Sequence, residues 1–323
     1  MRVDYILDLS PPKAEVKLLR LFCWWHLLSF DAPTVAVVWA YLFARIMHVR
    51  LPWFAALILA LGTWLIYVAD RLLDGVSHDE LKPLRERHHF YARNSKHFLL
   101  AALAGCPILL WLIATRMSSF TRRDDTVVFG VAMVYFAAIH GPSLWVRNGT
   151  NPPGQHETHF FKNSASGTKV WLPKEVAVAI LFAAATAVPA WSRLGGNIAG
   201  QSAELSVAVI CFGALCWLNC VAIEHWETMD SFEPSFKHMH RTTEWAGRNV
   251  ARIALTVCGG TLSLSAAITM LPTTLLLRSV FLSAALSAAA LFVLDRFRRN
   301  LSSIQLRVAA DAALLTPLLF LMR

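Results

Sequence analysis

The sequence predicts an all-α, polytopic membrane protein: nine transmembrane helices around a central cavity, forming one domain over residues 1–323. Three observations predict it. Hydrophobic residues make up 56% of the chain and charged residues 16%, with a mean hydropathy of +0.49. A soluble domain carries roughly 25% charged residues. The apolar residues gather into nine runs, and Lys and Arg crowd the connections on one side of those runs.

In order, the runs cover 21–47, 53–68, 98–114, 127–140, 176–190, 205–223, 253–271, 276–294 and 308–321. A span needs about 20 residues, so the shorter runs are expected to extend into their flanks. Leu and Ala dominate them, and lipid offers no hydrogen-bond partner to an open strand, so helices are expected. The first run follows a polar, charged segment. No small-residue cleavage site follows it, so it does not read as a signal peptide. Trp24, Trp25, Trp53, Trp145, Trp171 and Trp191 lie near run ends, which suits an interfacial belt. Three connections are long, at 75–97, 143–173 and 225–250, and all fall on one side. Long connections on one face usually carry function.

Nine spans alternate the connections between two sides. The side that holds the N-terminus collects 21 Lys and Arg residues, the opposite side seven. The positive-inside rule then puts the N-terminus in the cytoplasm, together with the acidic ends of the second and sixth runs, where an active site is expected. The net charge is +9, but it is spread over loops between spans, so a nucleic-acid partner is not expected. The six cysteines lie in apolar runs without a C-x-x-C pair. They read as small buried hydrophobes rather than as a disulfide framework or zinc site.

Two acidic clusters carry the chemistry. Asp70-Arg71-Leu72-Leu73-Asp74 ends the second run, and Glu224-His225-Trp226-Glu227 ends the sixth. A carboxylate at a membrane edge is costly unless it has a partner or a task. On a helix, Asp70 and Asp74 are four apart and share a face; Glu224 and Glu227, three apart, also share one. Hard oxygen ligands on one face suit Mg2+, which keeps waters and bridges to phosphates. Two such faces opposed across a hollow would hold a diphosphate through Mg2+, with Arg and Lys neutralising the remaining charge. The plainer reading is that Asp70 and Asp74 pair with Arg71 or solvate a helix end.

These residues resemble the UbiA superfamily of intramembrane prenyltransferases, which has nine transmembrane helices and aspartate-rich motifs after the second and sixth. Asp70 and Asp74 match the last two acids of its first motif, Asn-Asp-x-x-Asp-x-x-x-Asp. Ile66 and Tyr67 stand where that motif begins, and Arg85 and Arg87 follow as its basic pair. Glu224 and Glu227 stand where the second motif is usually Asp-based, flanked by Asn219 and Asp230. Ser29 to Thr34 is similar to the start of the family's first helix, and Leu172 to Glu175 falls where its fifth begins. The resemblance implies Mg2+ held by Asp70, Asp74, Glu224 and Glu227, the catalytic and metal residues. It implies a polyprenyl diphosphate bound by Arg71, Arg85, Arg87, Lys169 and Lys174, with Asn219 beside it. Tyr67 and Trp64 would face the allylic cation. A lipophilic acceptor, commonly aromatic in this family, would then attack, with membrane lipid around the isoprenyl chain. A terpene cyclase of the same superfamily would trap the cation internally instead. A transporter should place acids near mid-membrane, on helices broken by Gly or Pro; here the clusters sit at run ends.

Other polar residues are secondary. Most of the 12 histidines lie in or beside the long loops and read as solvated, whereas His26 and His140 within runs read as packed and hydrogen-bonded. Asp31 and Asp311 lie in or near apolar runs, which makes them functional candidates, although Asp31 could simply cap the helix at Pro33. Asp295 among Arg296, Arg298 and Arg299 reads as a cytoplasmic anchor.

Overall fold

The computed structural model describes residues 21–76, 86–119, 121–123, 126–131, 133–134, 173–194, 198–230, 240–268 and 276–322. These residues are 89% helical, with no strand among them. In chain order the helices are α1 (Leu21–Leu27), α2 (Asp31–Ile46), α3 (Trp53–Val76), α4 (Glu86–Arg116) and α5 (Lys174–Trp191). They continue as α6 (Ile198–Asp230), α7 (Arg241–Arg248), α8 (Val250–Ile268), α9 (Leu277–Phe297), α10 (Ser303–Ala313) and α11 (Leu318–Leu321). Among the described residues, seven helices are long and apolar enough to cross a bilayer, or eight if the bent pair α1–α2 counts as one span. The protein is therefore an all-α, multi-pass membrane protein. The expected fourth span, 127–140, is described only in part, as helix at 126–131 and 133–134.

The first span is not the single rod that its apolar run predicts: α1 and α2 meet at 93°. Pro33 explains the break. Its ring would clash with the carbonyl of Ser29 in a continuous helix, and its missing N–H is harmless only in a first turn. Ser29 takes a φ of 58°. The corner is pinned from two sides. The Ser29 hydroxyl bonds the Tyr91 hydroxyl at 2.5 Å, and Trp64 Nε1 donates to the Leu28 carbonyl at 3.0 Å. Asp31 sits in the first turn of α2, where its Oδ1 accepts the Ala32 N–H at 2.9 Å.

At its other end α2 closes in a Schellman motif. The Val49 N–H reaches the Ala44 carbonyl at 2.9 Å, the His48 N–H reaches the Arg45 carbonyl at 3.1 Å, and His48 has a φ of 55°. Glycine prefers that conformation. His48→Gly should therefore stabilise the protein by about 1 kcal/mol; an unchanged or lower Tm in detergent would show that the side chain makes a compensating contact.

The core lies where α2, α5, α6 and α9 meet. Trp39 stacks on Phe212 with centroids 4.4 Å apart and donates to the Leu314 carbonyl at 2.8 Å. Phe43, Phe281, Leu205 and Leu215 complete it. Half of the α6 span is buried, against 17% of the α4 span. The α9 span is buried to the same extent as that of α6, so α6 and α9 are the central helices. The exposed Leu99, Leu100, Leu103, Leu110 and Trp111 of α4 suit contact with lipid. Exposed Trp24, Trp53 and Trp191 stand near helix ends, in keeping with an interfacial belt; Trp145 and Trp171 lie outside the described residues.

Candidate functional site

Beside the core, between α2, α3, α5, α6 and α10, lies a cavity of about 40 Å³. Tyr67, Cys216, Asn219, Cys220 and Asp311 line its polar part; Ala32, Val35 and Phe182 are among its apolar walls. That volume accommodates a few waters. An isoprenyl chain needs space between helices beyond it.

The two acidic clusters continue the stripes that line this cavity. On α3, Tyr67, Asp70 and Asp74 are three and four residues apart and share a face. On α6, Cys216, Cys220, Glu224 and Glu227 do the same. Each cluster begins one helical turn, about 5.4 Å, past a cavity residue. Both stripes run toward the same face of the protein. The Trp39–Phe212 stack fixes α2 against α6. From it, α2 leads back to Asp31, which stands 3.9 Å from Arg71 of α3, and α6 leads on to Glu227.

Asp70 and Glu224 are half-buried. Asp74 lies in the last turns of α3, but its side chain is outside the described residues. Glu227 is mostly buried and is bound by the Arg307 guanidinium of α10. Arg307 is thus a site residue. Its place in the sequence reads as part of a basic loop, but it falls in the second turn of α10, because the Ser302–Gln305 capping box starts that helix earlier than the apolar run does.

Arg71 points inward. Its Nη1 donates to the His26 carbonyl at 3.2 Å, and the guanidinium lies 5.4 Å from the Tyr91 ring centroid. In this conformation its guanidinium also stands 3.9 Å from Asp31 Oδ2. Asn219 is buried and donates from Nδ2 to Asp311 Oδ1 at 3.0 Å. Lys174 is exposed at the start of α5, and the neighbouring Glu175 accepts from Thr243 of α7 at 2.8 Å. Arg85 and Lys169 lie outside the described residues. Arg87 lies in the first turn of α4, but its side chain is likewise outside them.

Helix α7 packs on α6 and is tied to α5 by the Thr243–Glu175 hydrogen bond. Its Gly247 packs on buried His225, so close that a Cβ there would stand 2.9 Å from His225 Nδ1. His225 therefore acts as a packing surface. Gly247→Ala must push α7 away and should cost about 1–3 kcal/mol. Unchanged thermal stability would mean that His225 swings aside without loss.

Beneath the acidic clusters is a second polar group. His26 Nδ1 bonds Asp31 Oδ2 at 2.6 Å and stands 3.6 Å from Asp311 Oδ2. The expectation that His26 is packed and hydrogen-bonded fits this geometry. Asp31 is more than a helix cap, since it also faces His26 and Arg71. Asp295 bonds Arg298 at 3.1 Å and accepts from Trp226 Nε1 at 2.9 Å, so it ties α6 to α9.

Comparisons with protein-family models, curated proteins and solved structures find no match to this chain.

Proposed function

We propose that the protein is a Mg2+-dependent intramembrane prenyltransferase, which moves an isoprenyl group from a polyprenyl diphosphate to a lipophilic acceptor. One observation carries this reading. Two helices border a single cavity, and each has its acidic residues in the turns just beyond it, at the same end of the protein.

The donor set suits a hard cation: Asp70, Asp74, Glu224 and Glu227 offer only oxygen. When bound, Mg2+ would neutralise the diphosphate as it departs. The rest falls to the chain itself. Arg307 holds Glu227 in place and offsets its charge. Lys174 lies at the first turn of α5, where its positive charge would add to that of the helix N-terminus toward phosphate oxygens. Arg87, in the first turn of α4, together with Arg85 and Lys169 would supply further cations. Tyr67 presents an aromatic face to the cavity, where an allylic cation would gain from it. The bond from the allylic carbon to the diphosphate oxygen breaks. A bond to the acceptor carbon forms, and the proton on that carbon leaves. By the resemblance to the UbiA superfamily, the acceptor is an aromatic ring.

The same reading carries a topology. If 126–134 belongs to a fourth span and α1–α2 is the first, the count reaches nine, the whole chain is one domain, and the basic loops put the N-terminus and the site in the cytoplasm.

The test supplies labelled prenyl diphosphates of several lengths, with Mg2+ and candidate phenolic acceptors, to membranes containing the protein. The expected result is a joined product with pyrophosphate released in equal amount. Pyrophosphate without a joined acceptor would point to a cyclase or hydrolase, and no turnover with any donor to a non-catalytic lipid-binding protein.

A further inference from the structure

We propose that His26, Asp31, Asp311 and Asn219 form a second cation site, distinct from the acidic clusters, which takes a divalent ion that accepts nitrogen as well as oxygen, such as Zn2+, Mn2+ or Co2+.

The site stands on two independent observations. First, one ligand atom from each of His26, Asp31 and Asp311 lies within 4.8 Å of the others. These residues come from α1, α2 and α10, and the 93° corner between α1 and α2 is what turns His26 back onto Asp31. Bonds of about 2.0–2.2 Å to a common ion need only small side-chain shifts from these positions. Second, Asn219 is only 6% exposed, and its Oδ1 is buried with no hydrogen-bond partner. A buried carbonyl oxygen left unbonded costs roughly 1–3 kcal/mol. Its own Nδ2 is anchored to Asp311 Oδ1, so the amide oxygen is held at the same end of the cavity, where both residues form part of the lining. A cation, or water bound to it, gives that oxygen a partner.

Charge and donor chemistry select the class of ion. Two carboxylates face a divalent cation; Arg71, 3.9 Å from Asp31 Oδ2, would yield that contact to the ion and keep the Tyr91 ring and the His26 carbonyl as partners. Imidazole beside oxygen donors suits Zn2+, Mn2+ and related ions, whereas Mg2+ prefers oxygen alone. The ion would take the position between His26 Nδ1 and Asp31 Oδ2, and a proton held there would be released. Neither point depends on the prenyltransferase reading.

The test uses the full chain in detergent, stripped of metal with a chelator and titrated with Co2+. The absorption spectrum reports nitrogen ligation. Wild type should bind one Co2+ with an imidazole signature, release a proton, and gain in Tm. Asp311→Asn and His26→Gln should each weaken that binding by about 10–100-fold, and Asn219→Ala by less. Asp70→Asn should leave it unchanged, which separates this site from the acidic clusters and keeps its outcome independent of any activity. Two results would overturn the proposal: no Co2+ bound with an imidazole signature, so that His26 is held by a proton alone, or the same affinity in wild type and Asp311→Asn. Asp311→Asn preserves shape, so it serves even if His26→Gln fails to fold.

Discussion

Asp70→Asn, and separately Glu224→Gln, should lower prenyl transfer by at least about 10²-fold while each variant keeps the Tm of the parent. Both changes preserve shape and remove one negative charge. Each acid is half-buried, one turn past a residue that lines the cavity, so neither is part of the packed core around Trp39 and Phe212. If these acids hold a cation against the leaving diphosphate, the loss falls on the transition state, where a single electrostatic contact is worth roughly 10²–10³-fold. The two losses should not multiply in the double variant, because groups that grip one ligand act as a unit. Assays with saturating donor and Mg2+ decide this. Full activity in either variant would remove that residue from the site.

Arg307→Gln should destabilise the protein by about 3 kcal/mol, and most of that loss should return when Glu227→Gln is added. The side chains are only 19% and 11% exposed, so removing the cation leaves a carboxylate with little water to solvate it. Breaking a buried pair costs roughly 3–5 kcal/mol, and the partial exposure argues for the lower end; replacing both partners by neutral groups is often close to neutral. A thermal or denaturant double-mutant cycle measures the coupling. Additive losses would mean that Glu227 has other support. Glu227→Gln alone should also lose activity, so in the double variant stability returns while turnover stays low.

The sequence makes the membrane class plain because every span needs a long apolar run, and composition alone reveals it. It also reveals the acidic clusters, since acids at helix ends interrupt that pattern. Register then follows from helical periodicity, so Tyr67, Asp70 and Asp74 can be assigned to one face before any coordinates are known. Three features escape such reading. The bend between α1 and α2 has a local signal in Pro33, but an unbroken apolar run from 21 to 47 hides it. Arg307 belongs to α10 only because Ser302 and Gln305 cap that helix ahead of its apolar stretch. The contact between His26 and Asp311 joins residues near opposite ends of the chain. Sequence marks Asp311 as costly in a membrane and His26 as a packed histidine, yet only packing makes them neighbours. The inward turn of Arg71 is of the same kind. Its position in the first motif suggests a phosphate contact, and the fold also brings it to 3.9 Å from the buried carboxylate of Asp31.

Binding of inorganic pyrophosphate to the purified protein, titrated calorimetrically with and without Mg2+, bears most directly on whether the α3 and α6 acids share one ligand. The account predicts Mg2+-dependent binding in the wild type, weakened at least tenfold by Asp70→Asn and by Glu224→Gln alike. Binding that survives in both variants, or that fails in one and not the other, would contradict it.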